Sequence, residues 1–235
     1  MTDIHTHLLY DIDDGAENIE TSIAMLEIMK CIGITSAVCT PHFDYTNISP
    51  DEFFAIRKER MSKLAPIAND YGITILSGCE LRLTPRVLNL ESVDNFCIEN
   101  TRYVLVELPF SNEWEKTCID MLTNFIDYFN VTPIIAHVER YPAVIKNIRA
   151  AEKLVELGAI LQLDASSLFE KLYIKTTKKL IKKELISVVS SDCHNTHSRS
   201  PEILADAYSE ISGLFKNGAV EYIKNFSDNI CKIKN

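Results

Sequence analysis

Residues able to bind a metal ion recur at one kind of place in this sequence, just past the C-terminal end of short apolar runs. They are His5 and His7 in "DIHTHL", His42 in "CTPHF", Glu80 in "SGCEL", Glu107 in "VLVELPF", His137 in "PIIAHVERY", Asp164 in "LQLDAS", and Asp192 with His194 in "SSDCHNTHSRSP". Five of the six histidines share that position, which independent packing histidines explain poorly. In an extended segment residues i and i+2 project to the same side, so the H-x-H of His5 and His7 can chelate one ion. Glu80 and Glu107 add what imidazole lacks: negative charge to offset divalent cations, and paired oxygens able to bridge two of them. An unpaired Glu107 would be costly in so apolar a run, and a cation removes that cost.

Arg140 and Arg199 each lie in a loop directly after a ligand-bearing run. Beside a metal cluster, a guanidinium offers a planar, bidentate grip on phosphate, so the pair points to an anionic substrate. The stretch "CHNTHSRSP" can also be read as C-x5-R-S, the pattern of a thiolate phosphatase whose cysteine attacks phosphorus. Such a loop wraps phosphate in backbone N–H groups and usually needs glycine for so close an approach. None stands between Cys193 and Arg199, and the thiolate reading leaves the other histidines and glutamates without a role. Cys193 is therefore expected to be structural, packed behind the rim. Asp14 and Gly15 read as a turn feeding the first helix, and Asp11 and Asp13 as doing little more. Asp164 reads as a helix N-cap or a residue that orients others, ahead of ligation. His197 is expected at the surface.

Positioning these residues falls to a regular alternation. Strand patterns occur in "MTDI" at the start, then at Ile34–Thr40, Ile73–Gly78, Arg102–Leu108, Val131–His137, Ala159–Asp164 and Leu185–Ser191. Between them lie helical patterns such as "IETSIAMLEIMKCIG", "SPDEFFAIRKERMSKLAPIANDYG", "EKTCIDMLTNFIDYF" and "RAAEKLVELG". Three of these end in Gly33, Gly72 and Gly158, suited to the left-handed position after a helix. Ser49 followed by Pro50 is an N-cap signal. Strand, helix, strand, repeated about seven times, implies a parallel α/β sheet covered on both faces. A closed barrel and an open doubly wound sheet both satisfy the pattern. In a barrel, the strand C-terminal ends share one rim, and the residues above would converge there.

The 235 residues, 46% of them hydrophobic, are enough for one self-sufficient domain spanning residues 1–235. Seven cysteines without C-x-x-C pairs are expected as free thiols in a reducing compartment. A formal net charge of −9 argues against a nucleic-acid surface. The basic cluster Lys175–Glu184 reads as the solvated face of a helix. The opening residues carry no basic and apolar leader pattern, and charges interrupt every apolar run before it could span a membrane. A soluble, cytoplasmic protein is expected, with no membrane insertion.

In order and spacing, "DIHTHLLYDIDDGAEN", "CTPHF", "SGCEL", "VLVELPF", "PIIAHVERY" and "SSDCHNTHSRSP" resemble the motifs of the polymerase and histidinol phosphatase (PHP) superfamily. The resemblance is strongest to its manganese-dependent protein tyrosine phosphatases from bacterial capsule and exopolysaccharide loci, and it spans almost the whole chain. It implies a distorted (β/α)7 TIM-like barrel with a three-metal Mn2+ site, Fe or Zn being compatible with the same ligands. It would place one metal on His5, His7, Glu80 and Asp192, a second on Glu80, Glu107 and His137, and a third on Asp14, His42 and His194. Arg140 and Arg199 would bind phosphate. The implied substrate is a phosphotyrosine-containing protein, the tyrosine-rich tail of a bacterial tyrosine autokinase that controls polysaccharide export. Alternatives are a small phosphoester such as histidinol phosphate, and a non-catalytic metal-binding scaffold.

Overall fold

The computed structural model describes residues 1–111, 114, 116–215 and 218–231. It begins with β1 (Thr2–Thr6), α1 (Ile19–Cys31), β2 (Ser36–Cys39) and β3 (His42–Phe43). Next come α2 (Pro50–Asp70), β4 (Thr74–Ser77), β5 (Glu80–Arg82), β6 (Tyr103–Glu107), α3 (Lys116–Phe129) and β7 (Thr132–Ile135). The chain continues through α4 (Pro142–Lys146), α5 (Arg149–Glu156), β8 (Ile160–Asp164), α6 (Ile174–Lys182), β9 (Val188–Ser190), α7 (Ile203–Leu214) and α8 (Ala219–Ile230).

Local chemistry sets the helix ends as the sequence implies. The Asn18 side chain accepts from Thr21 N at 2.9 Å to cap α1, and Ser49 Oγ accepts from Glu52 N at 3.3 Å to cap α2, with Pro50 in its first turn. Gly33, Gly72 and Gly158 follow their helices at φ +81°, +75° and +86°, where a side chain would be strained. On α6 Leu180 and Ile181 are buried, while Lys175, Lys179 and Lys182 are exposed. The apolar stripe packs the helix and the lysines stay in water.

All the strand pairings are parallel, in the orders β1-β2-β4 and β3-β5-β6-β7-β8-β9. β2 breaks at Thr40–Pro41 and resumes as β3, since proline has no N–H for the ladder. β4 breaks alongside it at Gly78 and resumes as β5, so the two sheets are the lower and upper parts of one curled wall with seven strand positions. The wall meets itself where Thr6 bridges Cys193, His7 N donates to Cys193 O at 2.9 Å and Asp192 N donates to His5 O at 3.1 Å. This is the distorted (β/α)7 arrangement, with the open-sheet alternative excluded. One apolar cluster takes Ile4, Val38, Leu76, Leu105, Ile134 and Val188 from six different strands, a meeting possible only inside the barrel. A larger cluster lies largely between the sheet and its helices, including the ring contacts of Phe43 with Phe53 and Phe96.

The broken strands revise where several residues sit. His42 and Glu80 are paired β residues of β3 and β5, rather than loop residues past a strand. His5 lies within β1, which runs two residues further than "MTDI" implies, and Glu107 and Asp164 are the last residues of β6 and β8. Among the described residues no helix is long and apolar enough to cross a membrane. All seven cysteines are free thiols.

Candidate metal centre

At the C-terminal rim the structure gathers three groups whose ligand atoms lie within 4.8 Å of one another: His5, His7, Glu80 and Asp192; Glu80, Glu107 and His137; and His7, Asp14, His42 and His194. Every histidine and carboxylate that the resemblance implies as a ligand is in one of them. His7 is shared between two groups, which the sequence did not anticipate. Glu80 is the hinge of the centre. Its Oε2 lies 3.1 Å from His5 Nε2 and 3.0 Å from His42 Nδ1, and its Oε1 lies 2.8 Å from His137 Nε2. Asp14 Oδ1 stands 3.3 Å from both His42 Nε2 and His194 Nε2.

The protein fixes the direction of three imidazoles. His7 Nδ1 donates to Asp13 Oδ2 at 2.6 Å, His194 Nδ1 to Asp192 O at 2.8 Å, and His5 Nδ1 to Gln162 Oε1 at 3.3 Å. Since each partner is an acceptor, Nδ1 of each ring carries a proton and Nε2 faces the cluster, where its lone pair would be free for a cation whenever the ring holds only that one proton. The Gln162 amide is itself oriented, because Oε1 accepts from His137 N at 2.7 Å and Nε2 donates to Leu163 O at 2.8 Å.

The electrostatics ask for positive charge. Burial opposes the ionised Glu80 carboxylate, yet the charge of His5 and hydrogen bonds from His137, His42 and His5 hold it well below the usual range. Asp192 behaves alike: burial works against it, and the His5 charge and His7 outweigh that. Burial and the adjacent Glu80 charge raise Glu107. Burial and the charge of His7 push His194 down to about 3, so it is neutral, as a metal ligand must be. His137 Nδ1, Asp192 Oδ1 and His194 Nε2 are buried without a hydrogen-bond partner. His5 Nε2 and His7 Nε2 stand only 3.2 Å apart with Asp192 Oδ1 3.2 Å and 3.3 Å from them. A single proton satisfies one such contact; divalent cations would satisfy all, so the donor set fits metal.

Two of these residues carry unusual backbone. His137 has φ +35° and Asp192 φ +51°, a region costly for residues with a Cβ and characteristic of functional sites. Gly15 is demanded by proximity: a Cβ there would press into His7 O and His7 Cβ. That accounts for glycine in "IDDG".

The arginines flank the centre on one side. Arg140 Nη1 reaches Asp192 Oδ2 and Asp164 Oδ2, each at 3.2 Å, and Arg199 Nη2 reaches Asp192 Oδ2 at 2.6 Å. Asp192 thus turns one oxygen to the histidines and the other to both guanidiniums. Both arginines, with Ser191, Asp164 and the exposed His197, line a cavity of about 240 Å³. Burial opposes the Arg140 charge, and Asp164 and Asp192 together more than restore it. Asp164 also caps the turn after β8, accepting from Ser166 N at 2.9 Å, as its sequence position implies.

Cys193 is fully buried, and burial and the Asp3 charge raise its thiol well above the ordinary value. It cannot serve as an exposed thiolate. Trp114 donates its indole N–H to Pro109 O at 3.1 Å and packs edge-on against Tyr141. The expectation that Asp13 merely forms a turn is corrected: it holds His7 and also accepts from His42 N at 2.9 Å, because the turn folds back under the rim. Gln162 and Glu139 were not singled out in the sequence. Glu139 is buried against Ser167 Oγ at 2.6 Å, and burial with the Asp164 charge pushes its carboxyl up to about 8. A lone amide in the apolar "ILQLD" was the available signal for Gln162.

Fold and site together are those of a barrel metallohydrolase, its centre on the strand C-terminal ends. The family described as "Capsular polysaccharide synthesis, CpsB/CapC" matches residues 1–232. The chain is 30% identical to the tyrosine-protein phosphatase CpsB of Streptococcus pneumoniae, over 99% of this chain and 98% of that protein. It is 31% identical to the tyrosine-protein phosphatase YwqE of Bacillus subtilis, over 85% and 80% of the two chains. A crystal structure from work on YwqE of Bacillus subtilis and CpsB of Streptococcus pneumoniae, described as metal-dependent tyrosine phosphatases, superposes with a TM-score of 0.85 at 26% identity, covering 100% of this chain and 96% of that one. The chain belongs to the CpsB/CapC family.

Proposed function

We propose that this protein is a metal-dependent protein tyrosine phosphatase, with manganese held by His5, His7, Asp14, His42, Glu80, Glu107, His137, Asp192 and His194. The observation that carries the reading is the common aim of three imidazoles, each with Nδ1–H bound and Nε2 turned into a carboxylate-lined cluster. Similarity to the phosphatases CpsB and YwqE supports the reaction class.

Bound divalent ions would supply a hydroxide nucleophile near neutral pH and neutralise phosphoryl oxygens. Around them this chain's residues have separable tasks. Arg140 and Arg199 grip the phosphoryl oxygens, and Asp192 holds both guanidiniums in place beside the centre. Asp13 and Gln162 lock the imidazole orientations. Hydrolysis then proceeds without a cysteinyl intermediate, and tyrosinate, with a phenol pKa of about 10, departs as a tolerable leaving group.

Residues 1–235 act as one phosphatase domain in the cytoplasm. The substrate is a phosphotyrosine-bearing protein, the tyrosine-rich tail of a bacterial kinase of the capsule pathway. Comparing turnover of a phosphotyrosine peptide with that of histidinol phosphate by manganese-loaded protein tests the assignment. Preference for the peptide is expected. Preference for the small phosphoester would replace it, and turnover of neither would leave a metal-binding scaffold.

A further inference from the structure

Phe110 is out of place for an apolar side chain. It lies three residues after Glu107, at the rim of a charged centre, and is 54% exposed. Its ring is stacked on His137, centroids 5.8 Å apart with an interplanar angle of 28°, and rests against the buried Tyr141 at 4.8 Å. Among the described residues the other exposed large apolar side chains are Tyr128, Ile145, Val155, Phe169, Leu172, Leu214 and Tyr222. None of these has a ring contact with a residue of the metal clusters; of the exposed apolar side chains among the described residues, Phe110 is the one whose ring lies beside such a residue, next to the buried Tyr141 that also contacts His137.

The loop holding it is pinned on both sides. Leu108 N donates to Tyr141 Oη at 2.8 Å, Pro109 O accepts the Trp114 indole N–H at 3.1 Å, and Ser111 O accepts from Ala143 N at 3.1 Å. A ring that only filled a gap would be covered. This one is held rigidly with one face spent on His137 and Tyr141 and much of its surface left in water. A preorganised aromatic surface costs little ordering when another ring settles on it.

The geometry points to Phe110 as the residue that selects aryl over alkyl phosphate esters, by stacking on the ring of a phosphate ester held at the metal centre. This rests on the proposed phosphatase function, and it names what that reading lacks, a protein surface that recognises the ring of phosphotyrosine. Arg140 and Arg199 recognise only phosphate, which serine and tyrosine esters share. Offset or tilted ring pairs contribute beyond simple burial, enough for a preference of about tenfold.

The test uses binding of phenylphosphonate and methylphosphonate to manganese-loaded protein, measured by calorimetry, for wild type, Phe110→Ala and Phe110→Tyr. Wild type should prefer phenylphosphonate, Phe110→Ala should lose about tenfold of that preference with methylphosphonate affinity and metal content unchanged, and Phe110→Tyr should keep it. An unchanged preference in Phe110→Ala, or an equal loss for both ligands, would overturn the assignment. Because neither ligand is hydrolysed, this result is separate from the phosphotyrosine assay: a wild type that binds with the aryl preference but fails to turn over the peptide refutes the function and not the platform.

Discussion

Two parts of the metal centre differ in their exposure. His5, His7, Glu80 and Asp192 are almost wholly out of solvent, whereas the neighbouring group contains Asp14 and His42, whose side chains are 65% and 40% exposed. The buried group takes His5 and Glu80 from strands and is held by Asp13 and Gln162 through His7 and His5; Asp14 comes from a turn. Removing a partner from the first leaves buried charge uncompensated, while removing one from the second exposes groups that water can solvate. If the proposed ions occupy these groups, the contrast predicts tightly held inner ions at the buried ligands and an outer ion at Asp14 and His42 that exchanges readily.

The largest expected effect is at Glu80, which belongs to two of the groups. Glu80→Ala should bring phosphotyrosine hydrolysis to background and sharply lower bound metal by elemental analysis. Retained metal in that variant would dissolve the distinction between inner and outer ions. Arg140→Lys should lower kcat about 100-fold with metal content intact, because an ammonium cannot reproduce the bidentate grip. Asp13→Asn should weaken metal affinity by about 10- to 100-fold, the usual cost of losing the group that orients a ligating imidazole. A metal titration of the variant measures it directly. The smallest effect is expected for Asp14→Ala: activity at limiting manganese should drop and return with excess manganese. If excess metal fails to restore it, the outer ion is as tightly built as the inner ones.

Much of this was legible in the sequence because strand ends in a parallel barrel share one rim. His137 and Glu107 end apolar runs whose neighbours all point to the same place, so their convergence follows from topology. The broken second and third strands were less legible, since a two-residue β3 or a three-residue β5 leaves no periodicity to detect. Asp13 was obscured by its neighbours: in "DIDDG" nothing local separates the aspartate that grips His7 from the one that ends up beside His42 and His194. Gln162 acts through residues 157 and 25 positions away. Such hydrogen bonds depend on how the strands are laid side by side, which composition and spacing do not encode.

The most direct test of the central claim sets Cys193 against the metal centre in one assay. Phosphotyrosine-peptide hydrolysis would be measured for wild type and Cys193→Ser, each after chelation and again after manganese is added back. The account predicts that both proteins lose activity to the chelator and both regain it with manganese, since Cys193 is buried and its thiol is held protonated. Activity that resists chelation and disappears in Cys193→Ser would contradict it, and would return the histidines of the rim to a structural role.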